Sequence, residues 1–286
     1  MTEFTIITPV KDEYEYFAQT LDSVANQSIK PIKWIIVDDD STDGTTQLIK
    51  EYASRLRFID HHQLVKFHAE VETVGGRSGV LMNYARQFID KNSQFVVRMD
   101  ADISFEKDFF KEMFQKFETN AKLGIISGHL VQDGVPEVIS DYSANRGAMR
   151  IYARACFEEI GSYYTCRGQD DMDTYTAQWM GWETRTFNVY FNHLKPEIAK
   201  SGKIQEHFKT GYYKGQIPYI SIYFIAAVAR DLLKRPAILG SIAQIFGYMT
   251  SRLIHRSRPF KREVCDYIRK NQTIRIKNIF HRWGRE

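Results

Sequence analysis

Short apolar runs alternate with helix-length amphipathic stretches through the first half of this chain, the pattern of an open α/β sheet. Phe4-Thr5-Ile6-Ile7 reads as a first strand and Trp34-Ile35-Ile36-Val37 as a second. Between them, Glu13 to Asn26 carries Tyr16, Phe17, Ala18, Leu21 and Val24 along one side, the spacing of a helix. Ser41-Thr42-Asp43-Gly44 is a turn rich in capping residues, and Thr45 to Arg55 reads as the helix it starts. Leu64-Val65-Lys66-Phe67 is the expected third strand. Gly75 to Gly79 form a loop before a helix bearing Leu81, Met82, Tyr84, Ala85 and Phe88. Gln94 to Met99 and Leu123 to Gly128 read as strands, with an amphipathic helix from Phe109 to Phe117 between them. A later helix is expected from Met172 to Met180.

The rest of the chain differs in character. Tyr219 to Ala229 is apolar and aromatic, and Arg230, Lys234, Arg235 and Pro236 follow it. A second apolar stretch, Ala237 to Ile254, is interrupted by Gly240, Ser241, Gln244, Gly247, Tyr248 and Arg252. Both fall short of the roughly 20 apolar residues that span a bilayer. They suit helices lying in a membrane interface, with an apolar side, belt aromatics and flanking cations. Arg252 to Arg285 is heavily basic and interleaved with Ile, Tyr, Phe and Trp.

Charge sharpens that division. Lys195 to Glu286 holds 19 Lys and Arg against 6 Asp and Glu, whereas residues 1–194 hold 20 against 29. An acidic body joined to a basic tail implies that the tail seeks an anionic surface. The same basic and aromatic mixture serves RNA binding, but no nucleic-acid motif accompanies it. At 286 residues with 43% hydrophobic positions, the chain can build a normal core. Cys156, Cys166 and Cys265 are odd in number and widely spaced, which suggests neither a disulfide framework nor a zinc site and fits a reducing cytosol. The N-terminal residues lack a basic leader and a small-residue cleavage site, and read as the first strand.

Three acidic clusters carry the chemistry. Asp38-Asp39-Asp40 and Asp100-Ala101-Asp102 each close an apolar run, and Gln169-Asp170-Asp171-Met172-Asp173 opens a helix. Carboxylates crowded at strand ends repel one another unless a cation or a hydroxylated ligand sits among them, and in an α/β sheet those ends line the ligand crevice. Alternate residues of an extended chain point the same way, so Asp100 and Asp102 aim two carboxylates at one spot, suited to a divalent cation bridging a diphosphate. Turn chemistry and capping alone would account for Ser41, Asp43 and Gly44, but not for three carboxylates in a row. Capping of the later helix needs one acid, and three are present.

Thr8-Pro9-Val10, Glu13, Val37-Asp38-Asp39-Asp40-Ser41-Thr42-Asp43-Gly44-Thr45 and Asp100-Ala101-Asp102 together resemble the family 2 glycosyltransferases with a GT-A fold, over roughly residues 4–195. The usual strand-end motif there is V-D-D-G-S-x-D-G-T, and this chain has Asp40 in place of the glycine. The resemblance implies a nucleotide-diphosphate sugar as donor, a divalent cation (Mn²⁺ or Mg²⁺) and inversion at the anomeric carbon. It assigns the donor to Thr8, Pro9, Glu13, Asp38, Asp39 and Asp100, with Arg77 and Asn83 near the phosphates or the base, and the cation to Asp100 and Asp102. The family places an E-D pair about ten residues before G-[WY]; here Gly181-Trp182 follows Asp170-Asp171, and the glutamate is absent. Asp170 is then the first candidate for the base, Asp171 the second and Asp173 the third. His193 is a further implied metal contact.

The pattern Gly211-Tyr212-Tyr213-Lys214, Arg235-Pro236, Leu239-Gly240, Gly247-Tyr248 and Arg269-Lys270-Asn271-Gln272 resembles the C-terminal region of membrane-associated family 2 enzymes that extend lipid-linked saccharides. The expectation is a GT-A catalytic domain over 1–210 and a basic amphipathic helical region over 211–286. The protein would lie on the cytoplasmic face of a membrane and transfer a sugar to a hydroxyl of a lipid-linked saccharide. An ordinary helical subdomain or a dimer interface is the plainer reading of that region, and the oligomeric state stays open. Rival functions are transfer to a polyprenyl phosphate, which needs no base, a nucleotidyltransferase, or a sugar- or lipid-binding protein on the same fold. Lys11-Asp12-Glu13 does not supply the Gly-rich phosphate loop a nucleotidyltransferase would show. Acceptor specificity is expected in the loop from Gln132 to Arg146.

Overall fold

A computed structural model of the chain describes residues 2–65, 76–139, 141–145, 147–166, 168–196, 204–218, 220–231, 237–254 and 260–283. The chain divides into two compact units, 1–196 and 197–286. The expected boundary at 210 falls within a continuous helix, Ile204–Gln216.

The first unit is a mixed α/β sheet, as expected. Its strands are β1 (Phe4–Val10), β2 (Lys33–Asp38), β3 (Ile59–Gln63), β4 (Phe95–Met99), β5 (Ile103–Phe105), β6 (Leu123–Gln132), β7 (Val135–Pro136), β8 (Met149–Ala153) and β9 (Glu183–His193). They form one nine-stranded sheet in the order β3-β2-β1-β4-β8-β6-β9-β5, with β7 paired to β6. Alternation along the central strands feeds two cores. Phe4, Ile6, Trp34 and Ile36 pack with α1 (Tyr14–Ala25), α2 (Thr45–Arg55) and α4 (Phe109–Glu118). Ile7, Ile35, Val37 and Val96 pack with α3 (Arg77–Arg86), α5 (Arg154–Ile160) and α6 (Gln169–Trp179) on the other face. Strands covered on both faces read as unbroken apolar runs, which is why the sequence reveals them.

The third strand is displaced from its expected place. It lies at Ile59–Gln63, while Leu64 and Val65 follow it, and Lys66, Phe67 and Gly75 lie outside the described residues. β3 is an edge strand paired only to β2, so its half-buried Asp60, His61 and His62 give no apolar run. Leu64 instead donates its backbone N–H to the Asp38 carbonyl at 2.8 Å.

β1 runs parallel to both β2 and β4, so all three C-terminal ends emerge at one edge of the sheet. Val10, Asp38 and Met99 are their last residues. β5 and β9 then pair antiparallel, with Ile103 opposite His193, and bring the end of the unit back to this edge.

The second unit contains α7 (Ile204–Gln216), α8 (Ser221–Asp231), α9 (Ala237–Ile254) and α10 (Arg262–Trp283). Lys234, Arg235 and Pro236, with Tyr219, lie outside the described residues. α7 and α9 meet through glycine: a Cβ on Gly211 would lie 1.9 Å from the Gln244 carbonyl, and one on Gly247 would lie 2.1 Å from that of Phe208. Phe224 of α8 stacks on Tyr248 of α9 with ring centroids 4.0 Å apart. Among the described residues no helix is long and apolar enough to cross a membrane.

Candidate active site

The turns after β1 and β2 are stitched into one platform. Asp43 Oδ1 accepts from the Thr45 N–H at 3.0 Å and the Thr45 hydroxyl at 2.6 Å, and its Oδ2 accepts from the Tyr14 N–H at 3.0 Å. Asp12 accepts from the Thr42 N–H at 2.7 Å, and Glu13 donates its N–H to Thr45 Oγ1 at 2.9 Å. Asp40 stands at φ +59° in the left-handed region. The glycine of the usual motif is thus replaced by a residue type that tolerates this conformation better than most.

Adjacent carboxylates at the end of β2 do different work. Asp38 is fully buried and accepts from the Ser41 N–H at 3.0 Å and from the Thr46 hydroxyl, with His61 Nε2 at 3.8 Å. Burial pushes its pKa up, but the nearby His61 imidazole and the Ser41 and Thr46 hydrogen bonds outweigh this and hold it down at about 2. It anchors the turn from inside and does not face the cleft. Asp39 does face it, its two carboxylate oxygens accepting from one edge of the Arg77 guanidinium, Nε at 2.9 Å and Nη2.

A cleft of about 390 Å³ opens over these strand ends. It gathers Pro9, Glu13, Asp39, Arg77, Asp100 and Asp102 from the expected set, and adds Lys11, Ser78 and Arg98. Besides Asp38, two expected donor residues point elsewhere. Thr8 is buried, its hydroxyl accepting from the Trp34 indole N–H at 2.9 Å. Asn83 clasps the backbone of Tyr163, donating to its carbonyl at 2.9 Å and accepting from its N–H at 2.7 Å. Both hold the fold rather than the cleft, because hydrogen-bonding residues this close to a core are taken up by local partners.

His193 Nε2 lies 3.3 Å from Asp102 Oδ2, while its Nδ1 lies 2.9 Å from the Lys195 carbonyl. A carbonyl only accepts, so Nδ1 carries a hydrogen, and Nε2 turns toward the carboxylate either a second hydrogen or a lone pair that a cation would relieve. Two ligands each about 2.1 Å from one ion sit about 3 Å apart, so the pair has the right span. Among the described residues no group of three or more His, Cys, Asp or Glu is arranged to hold an ion. Asp102 and His193, with Asp100 nearby, are thus a two-residue donor pair whose span fits a cation, and a cation there would need further ligands from outside the described side chains. Burial, with Asp102 and Asp170 adding to it, pushes the Asp100 carboxyl up to about 6 against the pull of Arg98 and His193. Glu13 is raised by burial and restrained by its ion pair with Lys195.

The third cluster divides three ways. Asp170, at the start of α6, pairs with Arg98, a buried cation on β4 whose other side is 3.6 Å from Asp100. Asp171 lines a second cavity, of about 190 Å³, with Asp141, Ala144, Asn145, Thr186, Val138 and Ile139. Asn145 is buried, and neither side-chain polar atom has a partner among the described residues. Asp173 points into the core, where it accepts from the Tyr152 hydroxyl at 3.2 Å; burial, with Asp170 adding to it, pushes it up to about 7 against Arg150 and Arg98. Arg150, fully buried on β8, donates to the carbonyls of Asp170 and, at 2.8 Å, Asn145. Arg98 and Arg150 were not among the expected site residues; an arginine inside an otherwise apolar strand was the signal for each. Arg146 lies outside the described residues.

Glycine sets these distances. A Cβ on Gly147 would lie 2.3 Å from Asp170 Oδ2, and one on Gly79 would lie 2.3 Å from both the Gln169 side chain and the Tyr164 carbonyl.

The sequence profile of Glycosyl transferase family 2 matches residues 5–167, more than half of the chain. The chain belongs to that family. Among curated relatives it is 27% identical over 134 residues to a putative teichuronic acid biosynthesis glycosyltransferase, TuaG, of Bacillus subtilis, covering 46% of this chain and 49% of TuaG. It is 25% identical over 154 residues to the glycosyltransferase GlyA of Streptococcus pneumoniae, covering 49% of this chain and 20% of GlyA. The chain thus spans half or less of these relatives. Among solved structures, the mannosyltransferase PcManGT of Pyrobaculum calidifontis, in complex with GDP-Man and Mn²⁺, superposes with TM-score 0.57 at 16% identity over 98% of this chain and 82% of that one. Staphylococcus aureus TarS 1–349, in complex with UDP-GlcNAc, gives 0.54 at 15% over 93% and 78%. The sheet is the GT-A fold of this glycosyltransferase family, as the sequence motifs imply.

Proposed function

We propose that the chain transfers a sugar, with inversion, from a nucleotide-diphosphate donor to a hydroxyl of a lipid-linked saccharide in cell-surface polysaccharide assembly. The observation that carries this reading is the convergence of Asp39, Arg77, Asp100 and Asp102 on one cleft, joined through Arg98 to the acidic start of α6. The relatives support the donor class: TarS is crystallised with UDP and UDP-GlcNAc, and PcManGT with GDP-Man and Mn²⁺. TarS is named for poly(ribitol-phosphate) and TuaG for teichuronic acid, which supports a polymeric cell-surface acceptor.

Asp39 accepts from the nucleoside, exchanging part of its pairing with Arg77, and the freed guanidinium turns to the phosphates. Asp102 and His193, with Asp100, would hold Mn²⁺ or Mg²⁺, which when bound neutralises charge on the leaving diphosphate. Asp171 takes the proton of the acceptor hydroxyl as its oxygen bonds to the anomeric carbon and the bond from that carbon to the diphosphate oxygen breaks. We assign this role to Asp171 rather than Asp170 because protonating Asp170 would leave the buried Arg98 cation with Asp100 as its main counter-charge. Asp170 positions α6 against the donor cleft through Arg98. Asn145 offers its unpartnered amide to the acceptor.

The test is a thermal-shift series with UDP, GDP and their sugar conjugates, each with and without Mn²⁺ or Mg²⁺, followed by donor turnover. One nucleotide should raise the melting temperature with metal, and Asp102→Asn should lose that rise. Asp171→Asn should bind the donor and fail to turn it over. No shift with any nucleotide would overturn the reading; full turnover by Asp171→Asn would return the role of base to Asp170, and full turnover by Asp170→Asn as well would redirect the reading to an anionic acceptor that needs no base.

A further inference from the structure

α9 is built inside out. Its outward positions are Ile238, Leu239, Ile242, Ile245, Phe246, Met249 and Leu253, with Ile238 69%, Phe246 67% and Leu253 71% exposed. Its inward positions are Gly240, Ser241, Ala243, Gln244, Gly247 and Ser251, with Ser241 5%, Gln244 3% and Ser251 0% exposed. At 100° per residue the outward set falls within one stripe of about 120°, and Arg252 stands at its edge. A helix facing water puts its polar residues outward, so this one has the reverse pattern.

The helix has no way to correct this by rotating. Its small and polar face is already engaged by α7, at the close approaches of Gly211 to the Gln244 carbonyl and of Gly247 to that of Phe208. Gln244 Nε2 lies 3.3 Å from His207 Nδ1 of α7. The contiguous apolar stripe is therefore a permanent feature of the unit's surface, of the kind that marks an interaction site.

We infer that α9 lies in the plane of an anionic lipid bilayer, with this stripe in the acyl region. Three observations select a bilayer over a protein partner. The stripe from Ile238 to Met249 holds no charged or hydrogen-bonding side chain that would fix a register with another helix. The region around it is cationic, 19 Lys and Arg against 6 Asp and Glu from residue 195 onward, and the exposed positions of α10 include Arg262, Arg269, Lys270 and Arg275. A bilayer with anionic headgroups offers apolar depth and negative charge together. α8, which packs on α9, also leaves Ile222 and Ile225 exposed. No helix among the described residues is long and apolar enough to span, so the contact is in-plane. This goes beyond the transfer reaction and does not depend on it.

The test uses the full chain and vesicles of phosphatidylglycerol with phosphatidylethanolamine, against vesicles of phosphatidylcholine alone. The protein should sediment with the anionic vesicles, less so as salt rises, and only weakly with the neutral ones. In Phe246→Trp, indole emission should shift to the blue on adding anionic vesicles and be quenched by lipids brominated along the acyl chain. Ile242→Glu combined with Phe246→Glu should lower partitioning at least about tenfold with the melting temperature and its response to nucleotide unchanged. Failure to sediment with anionic vesicles, an unquenched indole, or a solution dimer that the double variant dissolves would each overturn the inference, the last by showing that a second copy covers the stripe. Nucleotide response is read separately, so failure here leaves the transferase reading untouched.

Discussion

Gly147→Ala puts the link between Arg98 and Asp170 to a quantitative test. Gly147 does not occupy the left-handed region. By the usual rule, alanine there would stabilise the protein by about 0.4–1 kcal/mol through the unfolded chain. The surroundings reverse that sign. An added Cβ would lie 2.3 Å from Asp170 Oδ2, 3.0 Å from its Cγ and 3.2 Å from Arg98 Nη1, whereas ordinary contact begins at 3.4 Å. The carboxylate must therefore retreat by about 1 Å, an overpacking cost of about 1–3 kcal/mol. Arg98 is buried and cannot follow into water. Passed through α6 to Asp171, a misplacement of about 1 Å costs about 100-fold in rate. The expected outcome is a kcat about 100-fold lower, with donor KM within about threefold because the Asp39 and Arg77 side of the cleft is undisturbed, and stability lower by about 1–2 kcal/mol net. Donor consumption at saturating acceptor and urea unfolding measure the two halves. A kcat within about twofold of wild type would refute the claim that this pair positions the chemistry, whatever the stability.

Two further substitutions test the platform beneath the cleft. Asp40→Gly should be neutral to stabilising by about 0.5 kcal/mol in urea unfolding, because relief of a left-handed backbone outweighs the added freedom of the unfolded chain, and Asp40→Val should cost more than about 1 kcal/mol; a destabilising Gly with a harmless Val would contradict the φ of +59°. Asp38 has a folded pKa of about 2 against an ordinary 3.8, so its ionised form stabilises the fold above that ordinary value, and the benefit is lost as pH falls from about 4 through 2. Asp38→Asn should cost about 2 kcal/mol at pH 7, and the gap from wild type should close toward pH 2 in unfolding measured across that range; a gap independent of pH would show that the carboxylate charge is not the stabilising element.

Much of this arrangement was legible in the chain because the informative residues are local. Trp34 to Asp38 and Gln94 to Asp102 announce buried strands delivering acids to an edge, and Thr45 to Arg55 and Ala237 to Ile254 are observed as helices with the expected bounds. What was not legible depends on partners far along the chain. Asp38 and Asp39 look equivalent until His61 and Arg77 claim one each. Asn83 reads as a cleft residue until its amide meets Tyr163, eighty positions later. Asp170, Asp171 and Asp173 are indistinguishable as letters, and are separated only by Arg98, the cavity beside Asn145 and the Tyr152 hydroxyl. β3 was misplaced because an edge strand need not be apolar.

Glu13 and Lys195 form an ion pair across 182 positions, and Asp102 meets His193 across the pairing of β5 with β9. The opening and closing stretches of the catalytic unit therefore share one wall of the cleft. A nascent chain that has released β1 to β8 holds most of the sheet but not the wall beside Asp102. At about 5–20 residues per second, the interval between emergence of Asp102 and of Lys195 lasts about 5–20 s. Through that interval the sheet lacks one wall of its cleft, and the arrival of β9 and Lys195 completes it.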